Sequence, residues 1–233
     1  MKILPKIDII DLALKIGNTL IIADTHIGYE EALNKQGMFI PRFQLEEIIK
    51  RLKKIIGKKK FELIIINGDI KHEFGKISEQ EWRNTLRLLD FLSKHTNKII
   101  LIKGNHDKIL GPIARKRNIE VVSHYKIGDI YICHGDKMPK DTAFKSAKTI
   151  IIGHLHPAIS LREGARTETF KCYLKGKYKN KNLIIMPSFN LITEGTDILK
   201  EAFSNPFMRN LDNFDVFLVE DKVYRFGKVK DIK

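Results

Sequence analysis

Five times in this chain an isoleucine-rich run of strand length stops at a short polar cluster, and that repetition constrains the fold more than any other feature. Leu20-Ile21-Ile22-Ala23 runs into Asp24-Thr25-His26, Leu63-Ile64-Ile65-Ile66 into Asn67-Gly68-Asp69, and Ile99-Ile100-Leu101-Ile102 precedes Gly104-Asn105-His106-Asp107. Later, Ile130-Tyr131-Ile132-Cys133 meets His134-Gly135-Asp136, and Ile150-Ile151-Ile152 meets Gly153-His154-Leu155-His156. Short apolar runs bounded by turn residues read as strands buried on both faces. In open α/β sheets the loops beyond the carboxyl ends of such strands are where ligands bind, because the strands fix them in place.

Helical periodicity fills the gaps between the early runs. A short helix is expected over Tyr29 to Gln36. A stronger one follows, with Leu45, Ile48, Ile49, Leu52, Ile55 and Ile56 on one face, ended by Gly57. A third opens at a Ser78/Glu81 capping box and repeats Trp82, Leu86, Leu89 and Leu92. Residues 7–16, the Gly17-Asn18 turn and the strand through Ile22 read as an opening hairpin. The later chain reads as strands at 158–161, 167–174 and 182–186, with a closing hairpin of 214–219 and 223–229. His124 falls in a connector and is assigned a structural role. Alternation early and strands late predict an α/β fold of two facing mixed β-sheets flanked by helices, in a single domain over 1–233 with no separate capping domain.

Composition narrows the chemistry. The 233 residues include 42 Lys+Arg against 28 Asp+Glu, a formal charge of +14, which favours a polyanionic partner, nucleic acid before membrane. Lysine-rich solvated surface, as in heat-adapted proteins, is the plainer reading of the same surplus. Lys171, Lys175, Lys177, Lys179 and Lys181 either track a phosphate backbone or protect a hairpin edge. Two distant cysteines in apolar strands, Cys133 and Cys172, read as buried inert thiols. The N-terminal residues lack a leader pattern and no run reaches membrane-spanning length, so a cytoplasmic location is expected.

Five of the eight histidines fall at the strand ends, in company with Asp24, Asp69 and Asn105 and without a thiolate. Imidazole and carboxylate together suit manganese, iron, zinc, cobalt or nickel in an open site better than structural zinc. Asp24, His26, Asp69, Asn105, His134, His154 and His156 are too many ligands for one ion. They suffice for two divalent ions sharing Asp69, the arrangement that activates water and clamps the oxygens of a phosphoryl displacement.

The ordered set Asp24-x-His26, Gly68-Asp69, Gly104-Asn105-His106-Asp107, His134 and Gly153-His154-x-His156 resembles the calcineurin-like metallophosphoesterase superfamily. The resemblance implies that Asp24, His26 and His156 hold one metal, that Asn105, His134 and His154 hold the other, and that Asp69 bridges them. It implies that His106 is the general acid for the leaving oxygen, oriented by Asp107. The stretch Asp69-Ile70-Lys71-His72-Glu73 departs from the protein Ser/Thr phosphatases, which carry an aspartate and an arginine shortly after the bridging aspartate. The whole is most similar to archaeal SbcD-related phosphoesterases and to bacterial ligase-associated DNA-repair endonucleases, which implies DNA as substrate and a helicase or ATPase as partner. The chain has no room for the capping domain or ATPase-binding tail that SbcD-type nucleases usually carry.

The sequence therefore predicts a metal-dependent phosphodiesterase, manganese being the first choice of ion, acting on DNA in repair or processing. A hydrolase of small phosphodiesters such as cyclic nucleotides needs the same centre without the charge. An inactive nucleic-acid-binding scaffold would keep the fold alone.

Overall fold

The structure is a computed structural model that describes residues 1–75, 77–200, 205–208 and 210–232. All five isoleucine-rich runs are strands. The first sheet takes β1 (Lys2–Leu4), β2 (Ile7–Ile10), β3 (Ala13–Ile16), β4 (Thr19–Ala23), β5 (Phe61–Asn67), β6 (Thr96–Ile102) and β7 (Glu120–Val122), in that spatial order. β1 to β4 form an antiparallel meander, and β4 to β7 run parallel. The parallel part needs crossovers, and helices supply them. These are α1 (Tyr29–Lys35) and α2 (Gln44–Ile56) after β4, α3 (Glu79–Ser93) after β5, and α4 (Gly111–Lys116) after β6.

The second sheet is built from β8 (His124–Ile127), β9 (Ile130–Cys133), β10 (Thr149–Ile152), β11 (Pro157–Glu163), β12 (Arg166–Tyr178), β13 (Lys181–Ile185) and β14 (Thr196–Asp197). Their order is β14-β11-β12-β13-β10-β9-β8, and the hairpin of β15 (Asp215–Val219) with β16 (Val223–Lys228) joins through β12. A short helix, α5 (Thr142–Ser146), lies between β9 and β10.

Side-chain alternation makes the two sheets face each other. Ile130, Ile132, Ile151 and Ile184 share one core with Leu14, Ile21, Ile65 and Ile100 of the first sheet. Their neighbours Tyr131, Cys133, Ile150, Ile152, Leu183 and Ile185 point the other way, into a second core with Phe144, Phe207 and Phe214. The runs carry no polar position because both faces are covered. Truncating Ile65 or Ile151, both fully buried, to alanine would cost about 2–5 kcal/mol through lost transfer and an unfilled cavity.

The structure corrects several local expectations. Residues 7–16 are two strands, β2 and β3, turned at Asp11, which adopts φ 58°. The buried face of α3 is Thr85, Leu88, Leu89 and Leu92, with Trp82 and Leu86 half-buried beside it. Ser78 caps that helix through the Glu81 N–H at 3.1 Å, whereas the Glu81 carboxylate turns away to another loop. His124 opens strand β8, where its ring stacks on Tyr131 with centroids 4.6 Å apart. Three lysines of the row on β12 and β13 are engaged locally: Lys175 pairs with Asp215 at 3.0 Å, Lys177 donates to Asn182, and Lys181 donates to the carbonyls of Lys145 and Ala147. Cys133 and Cys172 are both free and buried, and burial pushes the Cys133 thiol up to about 12.

Candidate metal centre

Strand register brings the polar clusters level. Ala23 pairs with Asn67 and Asn67 with Ile102, so β4, β5 and β6 end in one row, and their loops leave from the same edge. On the facing sheet, β9 and β10 are parallel neighbours whose ends deliver His134 and His154. Backbone bonds then sew the two edges together. Phe189 N–H donates to the Ala23 carbonyl at 2.8 Å, Asn190 N–H to the Asp24 carbonyl at 3.1 Å, and His154 N–H to the Asp24 carboxylate at 2.9 Å.

All seven expected ligands converge. Ligand atoms of Asp24, His26 and His156 lie within 4.8 Å of one another, and so do those of Asp69, His134 and His154. Asn105 joins the second group, its Oδ1 lying 2.8 Å from His134 Nε2. Asp69 Oδ2 stands between the groups, 3.2 Å from His134 Nε2 and 3.7 Å from His26 Nε2. Asp24, Asp69, His26 and His134 form a buried floor, while Asn105, His106, His154 and His156 are half-exposed at the rim. His26, His72 and His106 make a third group of the same size, which shares His26 and brings no carboxylate.

The backbone is bent to achieve this. Asp24, His26, Asp69, His154 and His156 have φ of 53°, 44°, 43°, 68° and 46°, and they are five of the nine described non-glycine residues with positive φ. Left-handed backbone costs an L-residue on the order of 1–3 kcal/mol and gathers at functional sites. Here it turns alternate side chains of a short loop inward together.

The electrostatics are those of a site built for cations. Burial opposes charge on His134, yet the hydrogen bond it donates to Asp69 and the Asp24 and Asp69 charges push its pKa up to about 9. Burial would raise the Asp69 carboxyl, but its bond to His134 and the nearby His134 and His26 charges hold it well below the usual range. Burial first, then a neighbouring imidazole, lowers His26 and His154, and burial with the His106 charge brings His72 down to about 4. Two buried carboxylates beside the His134 imidazole favour positive charge at the spot, which is the charge a metal ion supplies. Ring nitrogens face each other, His26 Nε2 to His156 Nε2 at 3.3 Å and His154 Nδ1 to His134 Nε2 at 3.1 Å. Asp24 Oδ1 is buried without a hydrogen-bond partner among the described residues. Unpaired nitrogen and oxygen donors in a thiolate-free set fit divalent ions of the manganese-to-zinc series.

The expected pairing of Asp107 with His106 is absent. Asp107 is buried, its Oδ2 accepts the Gly104 N–H at 2.9 Å, and burial pushes its pKa up to about 6. The His106 ring instead places Nδ1 against the carbonyl oxygen of His72, and the His106 main-chain N–H donates to Asp69 Oδ1 at 2.8 Å. Adjacent residues in a turn point apart, so sequence adjacency was no guide. Sequence reasoning also missed the residues that hold the ligand loops. Gln44 donates to the His26 carbonyl at 2.9 Å and accepts the Gly28 N–H at 3.1 Å, and Ser188 donates to the Asp24 carbonyl at 2.7 Å. Their partners are main-chain atoms distant in sequence, which leave no motif.

A model of the calcineurin-like phosphoesterase family matches residues 17–192, three quarters of the chain and all seven converging ligands. No curated protein matches the sequence. Among solved structures, the Pseudomonas putida nuclease MPE superposes with a TM-score of 0.65 at 22% identity, over 94% of this chain and 93% of that one. Entamoeba histolytica Vps29 in complex with zinc matches at 15% identity with a TM-score of 0.37, over 90% of this chain and 98% of that one. A predicted phosphoesterase from Streptococcus pneumoniae matches at 14% with a TM-score of 0.34, over 90% and 97%. No helix among the described residues is long and apolar enough to cross a membrane. The facing sheets, the level strand ends and the family match agree: the chain belongs to the calcineurin-like phosphoesterase family and is a metal-dependent phosphoesterase.

Proposed function

We propose that the chain is a two-metal phosphodiesterase that cuts DNA. Asp24, His26 and His156 hold one ion, Asn105, His134 and His154 the other, and Asp69 lies between them; manganese is the ion proposed for this donor set. Divalent ions there supply a nucleophile from water at neutral pH and neutralise charge on the phosphoryl oxygens. His106, at the rim, protonates the leaving oxygen. A diester leaves as an alkoxide, which is where a proton donor is worth about 10²–10⁴-fold.

The observation that carries DNA as substrate is the cleft beside the second ion site. It has a volume of about 570 Å³, and its walls include Asn105 and His134 together with Lys103, Lys108 and Lys137. Phe74 forms one side, its ring 3.7 Å from that of His106 and 5.8 Å below the Lys108 ammonium. Three lysines and an aromatic face within reach of the metal ligands suit a chain of phosphates carrying bases. The Pseudomonas putida nuclease MPE, matched over 93% of its length, is a relative with the same fold, and the +14 charge agrees.

The test is manganese-dependent cleavage of end-labelled DNA across a salt series. A polymer contacting Z phosphates loses affinity with a log–log slope of about −0.9Z on duplex or −0.7Z on single strands. Cleavage that falls steeply with salt supports the nuclease. Salt-insensitive hydrolysis of a nitrophenyl phosphodiester without DNA cleavage assigns the centre to a small phosphodiester instead.

A further inference from the structure

The loop after Asp69 carries a lysine that the metal sites do not use. Lys71 is 0% exposed, and its Nζ donates to the His106 carbonyl at 2.7 Å and to the Glu73 carbonyl. Burying an ammonium group is costly unless it is hydrogen-bonded, and an apolar side chain of equal length would fill the same space without that cost. Both partners of this ammonium are main-chain oxygens flanking the general acid and its contact loop.

Glu81, from the first turn of α3, works on the same loop from the other side. It is buried too, and one carboxylate oxygen accepts the N–H groups of both His72 and Glu73 at 2.9 Å. A cation and an anion thus fix His72 and Glu73, the two residues that follow Lys71. Between the two clamped ends, the His72 carbonyl oxygen meets His106 Nδ1. Three polar contacts fix His106: its main-chain N–H on Asp69 Oδ1, its carbonyl on Lys71, and its Nδ1 on the loop that Lys71 and Glu81 hold.

The geometry points to Lys71 and Glu81 as positioning residues for the His106 acid, taking through the 71–73 loop the place that an adjacent carboxylate such as Asp107 would otherwise fill. A ring nitrogen facing a carbonyl oxygen carries a hydrogen, so Nδ1 is the donor and Nε2 is the nitrogen left for the substrate. In hydrolysis, the bond from phosphorus to the leaving oxygen breaks as the oxygen of a hydroxide, formed when water gives its proton to solvent, bonds to phosphorus. The Nε2 proton passes to the leaving oxygen, and the neutral ring keeps its Nδ1–H on the His72 carbonyl. Ring displacement of about 1 Å suffices to lose on the order of 10²-fold in rate. The inference rests on His106 being the general acid.

The experiment uses the full chain loaded with manganese, with Lys71→Met and Glu81→Gln compared against His106→Ala. Substrates are a thymidine dinucleotide, whose leaving alkoxide needs a proton, and bis(4-nitrophenyl) phosphate, whose leaving group does not. Lys71→Met is expected to keep the wild-type metal content and KM, to lose about 10–100-fold in kcat on the dinucleotide, and to lose less than about threefold on the nitrophenyl diester. Added to His106→Ala it should cost nothing more, because it acts through that ring. Equal losses on both substrates, a loss of metal, or full activity on the dinucleotide would overturn the assignment. If Lys71→Met does not fold, Glu81→Gln decides by the same criteria. A His106→Ala protein that is itself indifferent to the leaving group would show instead that the general-acid reading has failed.

Discussion

Gly68 supplies the sharpest test of how the second ligand group is built. Its φ is +81°, and a Cβ placed there would lie 2.0 Å from His134 Nδ1, 2.6 Å from Cγ and 2.9 Å from Cε1. Ordinary contact begins near 3.4 Å, so in Gly68→Ala the imidazole must withdraw by about 1.4 Å. It has nowhere to go, because His134 is buried with Asp24 Oδ1 at 3.4 Å, Asp69 Oδ2 at 3.2 Å and Asn105 Oδ1 at 2.8 Å. Metal–ligand distances tolerate only about 0.2 Å. The variant should therefore bind one manganese ion per chain in place of two and lose on the order of 10²-fold or more in phosphodiester hydrolysis. It should also lose about 1–3 kcal/mol of stability from the positive φ. Metal analysis after dialysis, kcat on a nitrophenyl diester and a urea melt measure the three effects. A folded Gly68→Ala protein with two ions and turnover within twofold of wild type would refute the account of His134.

Two further perturbations act away from the reacting atoms. Lys171 has no hydrogen-bond partner for its buried Nζ among the described residues, and burial, then the Arg51 charge, lowers its pKa from 10.5 to about 7. Between those values the unfolded chain binds a proton that the folded chain does not, so stability rises with pH through that window, by on the order of 4–5 kcal/mol at about 1.4 kcal/mol per unit. Lys171→Met should be more stable than wild type at pH 6.5 and lose that advantage by pH 9.5; parallel urea-midpoint curves would contradict this. Gln44→Leu strands the Gly28 N–H in a buried loop and leaves the His26 carbonyl to the Tyr29 N–H alone, and should cost about 1–3 kcal/mol for the stranded group. It should weaken binding of the first ion roughly 10–100-fold, and an unchanged manganese titration would sink that expectation.

Much of this centre is legible because the chain repeats one device. An isoleucine run fixes a strand, and the residue types after it announce ligands, so Asp24, His26, Asp69, Asn105, His134, His154 and His156 could be read in order and their strands placed in two sheets. What the sequence conceals is whatever depends on main-chain partners. Nothing in Lys71 or Glu81 reveals that they converge on residues 72–73, since Lys71 bonds carbonyls and Glu81 bonds amides. Asp107 follows His106 directly yet closes the turn onto Gly104, because the loop geometry decides direction and adjacency does not. The buried face of α3 is rotated from the simple repeat because Thr85 packs inward while Trp82 stays half-exposed, with the Lys116 ammonium 5.4 Å from its ring. β12 pairs with β11, β13 and β15 along its thirteen residues, so no single alternation runs through it.

Two ions sharing Asp69 are proposed to perform the hydrolysis, and a manganese titration of the metal-free protein tests this, with bound metal and phosphodiester turnover measured at each step beside Asp69→Ala. The account predicts two ions per wild-type chain, turnover that appears with the second, and an Asp69→Ala protein that folds but neither fills both sites nor turns over. Full activity with one ion per chain, or an Asp69→Ala protein as active as wild type, would contradict it.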